Sequence, residues 1–236
     1  MKHLLFIFTF SLFSFNSEGQ AWLPMGSGTL GLVVSLAADT QNHRLFAGGN
    51  FSTIDTITAN NIAIWDGTKW LPFIHDGNQN GFSGIVDKLL VWNNYLYYSD
   101  ANFLKRINLS TLLYETIGTF NSGGITDLII YKDILYVSGN FTNIIYKWNN
   151  PGWINVSAGL GVGWGYDIMD MEVADSLLYV AGDFEITSPH VMKGVAAYNG
   201  MTWIDVDSNL TANIGDMGVY YYSVKKYHDK LYLGGG

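Results

Sequence analysis

Cysteine is absent from all 236 residues, and its absence excludes several kinds of site. The chain can form no disulfide bond, no thiolate metal site and no cysteine nucleophile. It also lacks the residue through which lipoproteins are anchored to a membrane. A domain of this length does not need disulfide bonds, because its hydrophobic core is large enough to stabilise the fold.

Charged residues are scarce as well, and arginine is the scarcest of them. Asp, Glu, Lys and Arg make up 14% of the chain, the formal net charge is −8, and Arg44 and Arg106 are the only arginines. An acidic chain with so few arginines is poorly suited to bind nucleic-acid phosphates or anionic membranes. We therefore expect no nucleic-acid partner.

Long hydrophobic runs are limited to the N-terminus. Lys2 and His3 precede an apolar run over residues 4–15, and the small residues Ser17 and Gly19 follow it. This pattern predicts a cleaved export signal over residues 1–19, because the run is too short to span a bilayer. We expect the mature chain, residues 20–236, to be secreted or displayed at the cell surface without a transmembrane segment.

Helical patterns are missing, whereas strand-like segments recur along the chain. No window of ten or more residues combines helical spacing with capping residues. The apolar segments are separated by short polar turns such as Asn93–Asn94 and Lys132–Asp133, which are typical of β-hairpins. We therefore predict an all-β protein.

These segments repeat at intervals of 39 to 50 residues. Each repeat combines a Leu-x-x-x-Gly-x-Phe segment, or a variant of it, with an aromatic residue that opens the last strand, and a second aromatic residue often lies five positions before the first. The structural repeat positions are Trp22, Gly49, Phe51, Trp65, Trp70, Tyr114, Gly139, Phe141, Trp148, Trp153, Gly182, Phe184, Tyr198 and Trp203. A period of this length with strand-like content indicates a β-propeller, whose blades each contain four antiparallel strands.

The repeats do not complete a ring. Three repeats match well, one is degenerate, half of a fifth follows, and residues 20–26 match the last strand of a blade. Closed propellers typically have four to eight blades. We therefore expect an incomplete propeller of about four to five blades over residues 20–236, truncated at its C-terminus.

The pattern at Leu45–Gly49 and Ile62–Trp70 resembles kelch-type repeats, as in the central domain of galactose oxidase. One glycine of the kelch pair is replaced at Ser138 and at Ala181. The rhythm is more closely similar to repeats of large secreted bacterial surface proteins, which often carry a C-terminal sorting domain. The resemblance covers nearly the whole mature chain and implies a propeller fold and an extracellular location.

The catalytic groups of enzymes with similar repeats are missing from this chain. Galactose-oxidase-type copper sites use a tyrosine cross-linked to cysteine, and sialidases bind the substrate carboxylate with three arginines. The chain has no cysteine and two arginines, and its histidines after residue 19 have no metal-ligand spacing. We therefore predict that it is not an enzyme and requires no cofactor.

Three aspartates in the first strands are the best candidates for a metal site. Asp87, Asp127 and Asp170 lie at similar places in segments that would line the central channel of a propeller, although Asp87 is one residue out of register with the other two. They would form either an acidic ring that binds Ca²⁺ or hydrogen bonds between neighbouring blades. Asp183 and Glu185 occupy a predicted loop and suit either a ligand or a solvated turn.

Aromatic residues are abundant, at 15% of the chain. Trp92, Trp164 and Tyr220–Tyr222 are either platforms on which sugar rings stack or packing groups between blades. The export signal, the uniform repeats and the lack of a catalytic constellation favour a non-catalytic, secreted or cell-surface propeller that binds an extracellular protein or glycan. Two alternatives stay open: a fragment of an extracellular polysaccharide-active enzyme, and a structural spacer.

Overall fold

The computed structural model describes residues 24–75, 79–121, 123–141, 144–158, 160, 167–186, 192–204, 206 and 221–235. Every regular element within these ranges is a β-strand, which confirms the all-β prediction. The export signal predicted over residues 1–19, together with Trp22, Trp164 and Tyr220, lies outside the described residues.

Blade 1 is a sheet whose strands follow the order β1-β2-β4-β5, with β3 paired to β2. Its strands are β1 (Thr29–Asp39), β2 (Arg44–Ile54), β3 (Ile57–Thr58), β4 (Ile62–Trp65) and β5 (Trp70–Pro72). A short hairpin of β6 (Ile74–His75) and β7 (Gln79–Asn80) then leads to the second blade.

Three more four-stranded antiparallel sheets follow, each with neighbouring strands in chain order. Blade 2 contains β8 (Lys88–Trp92), β9 (Tyr95–Asp100), β10 (Phe103–Asn108) and β11 (Tyr114–Thr119). Blade 3 contains β12 (Ile125–Tyr131), β13 (Ile134–Gly139), β14 (Ile145–Asn149) and β15 (Gly152–Asn155). Blade 4 contains β16 (Asp167–Ala174), β17 (Leu177–Ile186), β18 (Met192–Tyr198) and β19 (Trp203–Ile204). The two strands β20 (Tyr221–Tyr227) and β21 (Lys230–Gly235) begin blade 5. This succession confirms the prediction of an incomplete β-propeller.

Two-residue turns join the first and second strands of blades 2 and 3. Asn93 and Asn94 have φ angles of 50° and 63°, and Lys132 and Asp133 have φ angles of 51° and 58°. Positive φ at both central residues is the type I′ geometry, which matches the twist of the flanking strands. The polar residues at these positions thus fix the register of each hairpin.

Most first strands carry a β-bulge opposite a glycine of the second strand. In β1 the register shifts between Val33 and Ser35, and it shifts at the same place in β12, β16 and β20. A Cβ atom on Gly49 or on Gly182 would lie 1.9 Å from a carbonyl oxygen of the first strand. Because no side chain fits at that distance, glycine recurs at these positions.

Most of the hydrophobic core in the described residues consists of clusters between neighbouring blades, and one further cluster lies within blade 1. We call the side of a blade that faces the preceding blade its front face, and the opposite side its back face. Leu135 and Val137 of β13 pack at the front face against blade 2, whereas Tyr136 packs at the back face against blade 4. Since successive side chains of a strand point to opposite faces, each second strand contributes residues to two interfaces.

The repeated phenylalanines and aromatic pairs belong to these clusters. Phe51, Phe141 and Phe184 are buried. The pairs predicted from the five-residue spacing are cross-strand neighbours, which confirms the hairpin register. They are Trp65–Trp70, Trp148–Trp153 and Tyr198–Trp203, with ring centroids 5.4, 4.9 and 4.9 Å apart.

The tryptophans that open the last strands also join neighbouring blades. Trp153 Nε1 donates a hydrogen bond of 2.7 Å to the carbonyl oxygen of Ile117 in blade 2. Trp203 makes the equivalent bond, 2.9 Å long, to a carbonyl oxygen that follows the last strand of blade 3. Trp70 donates in the same way to the carbonyl oxygen of Met25.

This bond places residues 24–28 where a preceding blade would have its last strand. Met25 lies three residues after Trp22, just as Ile117 lies three residues after Tyr114. This position agrees with the sequence analysis, in which residues 20–26 match the last strand of a blade. Tyr114 itself opens β11 as predicted, but this residue is 52% exposed and has no indole N–H to donate.

Candidate ligand-binding cleft

Two aspartates of the first strands bind backbone groups of the next blade. Asp127 Oδ2 accepts a hydrogen bond of 2.8 Å from the N–H of Met171, and Asp170 Oδ2 accepts one of 2.8 Å from the N–H of Val224. These carboxylates therefore connect blade 3 to blade 4 and blade 4 to blade 5. This geometry favours the structural interpretation over the Ca²⁺ ring.

Asp87 does not belong to that series, which corrects the predicted three-carboxylate ring. Its Oδ2 accepts a hydrogen bond of 3.3 Å from the N–H of Ala101 in its own blade. Lys88 holds the equivalent position in blade 2, and in blade 1 the Oγ of Ser35 accepts a 2.9 Å bond from the N–H of Leu89. Within the described ranges, no three His, Cys, Asp or Glu side chains are grouped to hold a metal ion.

Asp127 is the carboxyl group whose ionisation the fold perturbs most clearly. Burial raises the pKa of Asp127 to about 7. The positive charge of Lys88 and the N–H groups of Leu128 and Met171 act in the opposite direction and lower this pKa. The negative charge of Asp170 raises this pKa further. The interface between blades 3 and 4 thus contains a carboxyl group that titrates near neutral pH.

A second pair of carboxyl groups lies at the start of blade 4. Asp167 and Asp183 are cross-strand partners on β16 and β17, so Asp183 and Glu185 belong to a strand and not to the predicted loop. Asp167 Oδ2 accepts a 3.2 Å bond from Asn140 Nδ2, while its buried Oδ1 has no partner among the described residues. Burial raises the pKa of both aspartates, and the charge of Asp183 raises that of Asp167 further.

The cleft that best suits a ligand lies at the junction of blades 1 and 2. It is an open depression of about 590 Å³ between the connection from β2 to β4, the hairpin β6–β7 and the segment that follows this hairpin. Its lining consists of amides, serines, a glycine and apolar residues, without a charged side chain: Leu30, Asn50, Phe51, Ser52, Asn60, Asn61, Gln79, Asn80, Gly81, Phe82 and Ser83.

Hydrogen bonds from asparagines hold the walls of this cleft together. Asn61 Oδ1 accepts a 3.1 Å bond from the N–H of Phe51, and Asn61 Nδ2 donates a 3.0 Å bond to the carbonyl oxygen of Phe82. Asn60 Nδ2 donates to the carbonyl oxygen of Asn80 at 2.9 Å. The connection and the hairpin are therefore fixed to each other before any ligand binds.

Stacked aromatic rings support the floor of the cleft. Phe82 is buried and stacks on Tyr98 of blade 2, with ring centroids 4.0 Å apart and an interplanar angle of 9°. The ring of His75 lies 5.0 Å from Phe82, and His75 Nε2 donates a 2.8 Å bond to the carbonyl oxygen of Gly81. The fold thus holds the floor rigidly between the two blades.

Several polar groups of the cleft are available to a ligand. The side chains of Asn50, Ser52, Gln79 and Ser83 are on exposed residues of the wall. Asn80 Oδ1 is a buried acceptor with no hydrogen-bond partner in the part of the chain that the structure describes. Amides supply both donors and acceptors, so this surface matches a neutral ligand with many hydroxyl or amide groups.

The aromatic residues proposed as sugar platforms lie elsewhere. Trp92 packs in the cluster between blades 2 and 3, and Tyr221 packs in the cluster between blades 4 and 5. Tyr222 is exposed on β20, far along the array from blade 1. The described part of this set therefore supports packing between blades more than sugar stacking.

Comparison with known proteins shows which solved structures have a similar fold, but it assigns the chain to no family. No protein-family model and no curated protein matches the chain. Solved structures do match it, among them two crystal structures of extracellular domains from B. thetaiotaomicron. One belongs to a proposed hybrid two-component system (TM-score 0.57, 13% identity) and the other to a proposed one-component system (TM-score 0.51, 12% identity).

Each of these matches covers 86% of this chain but only 26% and 31% of the matched chain. A chain from a S. cerevisiae complex of Dbp5, Nup159 and Gle1 matches 87% of this chain over 51% of its own length, with a TM-score of 0.50 and 16% identity. The chain thus spans about a quarter to a half of the length of these matched chains, and at such identities the likeness shows the fold alone. No helix in the described part of the chain has the length and hydrophobicity to cross a membrane.

Proposed function

We propose that this chain is a non-catalytic extracellular binding module whose cleft between blades 1 and 2 binds a neutral glycan. The observation that carries the proposal is the lining of the cleft, which has five amide side chains and no charged one. Sugar hydroxyl groups both donate and accept hydrogen bonds, and amide groups can match both roles. The volume of about 590 Å³ falls within the roughly 300–1,000 Å³ typical of small-ligand sites.

The location of the module follows from two supporting observations. The N-terminal pattern predicts export, and the B. thetaiotaomicron structures with the same fold are extracellular domains. Glycans and exposed protein segments are abundant outside the cell. An uncharged protein segment would present similar amide groups, but the volume of about 590 Å³ favours the smaller ligand.

A glycan array with the purified exported chain tests this proposal, followed by titration calorimetry with the glycans that bind. The variant Asn50→Ala/Gln79→Ala removes two exposed amides of the cleft wall and is expected to abolish binding without lowering the melting temperature. Gln41→Ala removes an exposed amide in the β1–β2 turn, outside the cleft lining, and is the matched control. No binding to any neutral glycan would contradict the proposal and favour a structural spacer.

Cleavage of a polysaccharide is a second candidate, favoured by the Asp167–Asp183 pair. Two neighbouring carboxyl groups of which one keeps its proton are the usual apparatus of glycoside hydrolysis, and burial raises the pKa of both. Under the binding proposal, a screen of polysaccharides should release no product. Product release that is lost in Asp167→Asn, with folding retained, would replace binding by catalysis.

A further inference from the structure

Blade 2 departs from the other blades at the residue that opens its last strand. In blades 1, 3 and 4 this residue is a tryptophan whose ring packs in a core cluster and whose indole N–H donates to a backbone carbonyl oxygen: Trp70, Trp153 and Trp203. In blade 2 it is Tyr114, which is 52% exposed and belongs to none of the core clusters of the described residues. The packing of the repeat therefore does not account for this ring.

The ring of Tyr114 contacts a second feature that departs from the repeat, the hairpin β6–β7. Its centroid lies 6.2 Å from that of His75 on β6, in an edge arrangement with an interplanar angle of 80°. His75 is buried and lies 5.0 Å from Phe82, which lines the cleft. The two departures thus meet beside the cleft, and the exposed ring is separated from the cleft floor by the ring of one histidine.

The pairing of the hairpin places part of the cleft wall on the side of Tyr114. His75 of β6 pairs directly with Gln79 of β7, and directly paired residues of antiparallel strands lie on the same face. Gln79 is an exposed residue of the cleft lining, and His75 on that face contacts Tyr114. A ligand that extends out of the cleft past Gln79 therefore runs toward the tyrosine ring.

We propose that Tyr114 is an aromatic platform that extends the cleft, so that the ligand is an oligosaccharide chain and not a single sugar. This inference rests on the proposed function of the cleft, whose amides hydrogen-bond the sugar hydroxyl groups. An exposed tyrosine offers an apolar ring face to the C–H groups of a further sugar unit, while its hydroxyl group stays in water. The cleft itself lacks such a surface, because Phe51 and Phe82 in its lining are 4% and 9% exposed.

Titration calorimetry with cello-, malto- and xylo-oligosaccharides of one to six units tests this inference. Within a series that binds, the affinity of the wild-type chain should rise when the ligand becomes long enough to reach Tyr114. Tyr114→Ala should lower the affinity for the longest member about tenfold. The same variant should bind the shortest member that the wild type binds with unchanged affinity, because that ligand occupies the cleft alone.

Three further variants separate stacking from folding. Tyr114→Phe keeps the ring and should bind like the wild type, whereas Tyr114→Leu keeps an apolar side chain without a ring and should bind like Tyr114→Ala. Tyr222→Ala removes another exposed tyrosine, 60% exposed in blade 5, and should not change the affinity. Melting temperatures of all variants should match that of the wild type.

The outcomes distinguish this inference from the proposed function on which it rests. Affinity that is equal for short and long members, or a gain with length that Tyr114→Ala and Tyr114→Leu retain, would overturn the platform and leave the cleft as the binding site. Binding of no member of any series would contradict the neutral-glycan proposal and the platform together.

Discussion

The carboxyl group of Asp127 makes the stability of the interface between blades 3 and 4 depend on pH. One of its oxygens accepts a hydrogen bond from Met171 of blade 4, and burial raises its pKa from 3.8 to about 7. The folded chain therefore keeps a proton at pH values where the unfolded chain has lost it. This stabilising contribution is fully present below the unfolded pKa of 3.8 and is lost as the pH rises through about 7.

The size of the effect follows from the gap between the two pKa values. One pKa unit corresponds to about 1.4 kcal/mol, so a gap of about three units predicts that the contribution falls by at most about 4 kcal/mol between pH 4 and pH 8. Asp127→Asn keeps an oxygen that accepts the N–H of Met171 but removes the titration. The difference in unfolding free energy between variant and wild type should therefore shift in favour of the variant as the pH rises.

Urea unfolding at several pH values between 4 and 8 measures this difference. Asp66→Asn is the control expected to show a constant difference over this range, because the backbone N–H of Lys69 and then the hydroxyl of Thr68 lower the pKa of the exposed Asp66 below 3.8. A difference between Asp127→Asn and wild type that stays constant over this pH range would refute the reasoning. It would mean that water or a neighbouring group keeps Asp127 ionised in the folded chain.

Two further predictions concern the repeat positions. Trp70→Ala removes a buried ring and its bond to Met25, and should lower the unfolding free energy by about 3–5 kcal/mol; an unchanged urea midpoint would show that the ring is not part of the core. Gly49→Ala places a methyl group against the carbonyl oxygen of Leu32 and should lower the melting temperature strongly, whereas Gly152→Ala, with open space around its Cβ position, should not. Equal melting temperatures for the two alanine variants would contradict the role assigned to the bulge.

The features that sequence predicts well are those that each blade needs in order to fold. The five-residue spacing of Trp148 and Trp153 fixes a tight hairpin, because only one register brings the two rings together. The glycine at position 182 marks a bulge, since a side chain there would meet the opposite strand. Such constraints act within one blade and recur at the same positions in the next blades. A single sequence therefore contains several copies of each constraint.

The register of the first strands is harder to predict, and the aspartate ring shows why. Lys88 lies eight residues before Leu96, which is the same separation as between Asp127 and Leu135. Asp87 is the nearest carboxylate to that position, and it therefore suggests a third ligand for Ca²⁺. Strand β8 begins at Lys88, and Asp87 just before it accepts a hydrogen bond from the N–H of Ala101 in its own blade. Counting residues back from the second strand identifies Lys88 as the equivalent of Asp127, whereas a search for matching residue types selects Asp87.

The cleft could not be predicted because most of its residues, unlike Phe51, do not belong to the repeat positions. Asn60 and Asn61 come from a connection within blade 1, and Asn80 comes from a hairpin that only the junction between blades 1 and 2 contains. Their contacts arise when two blades pack, so neither the spacing nor the composition of one repeat indicates them. Asp167 is similar, because its partner Asp183 is known only from the pairing of β16 with β17.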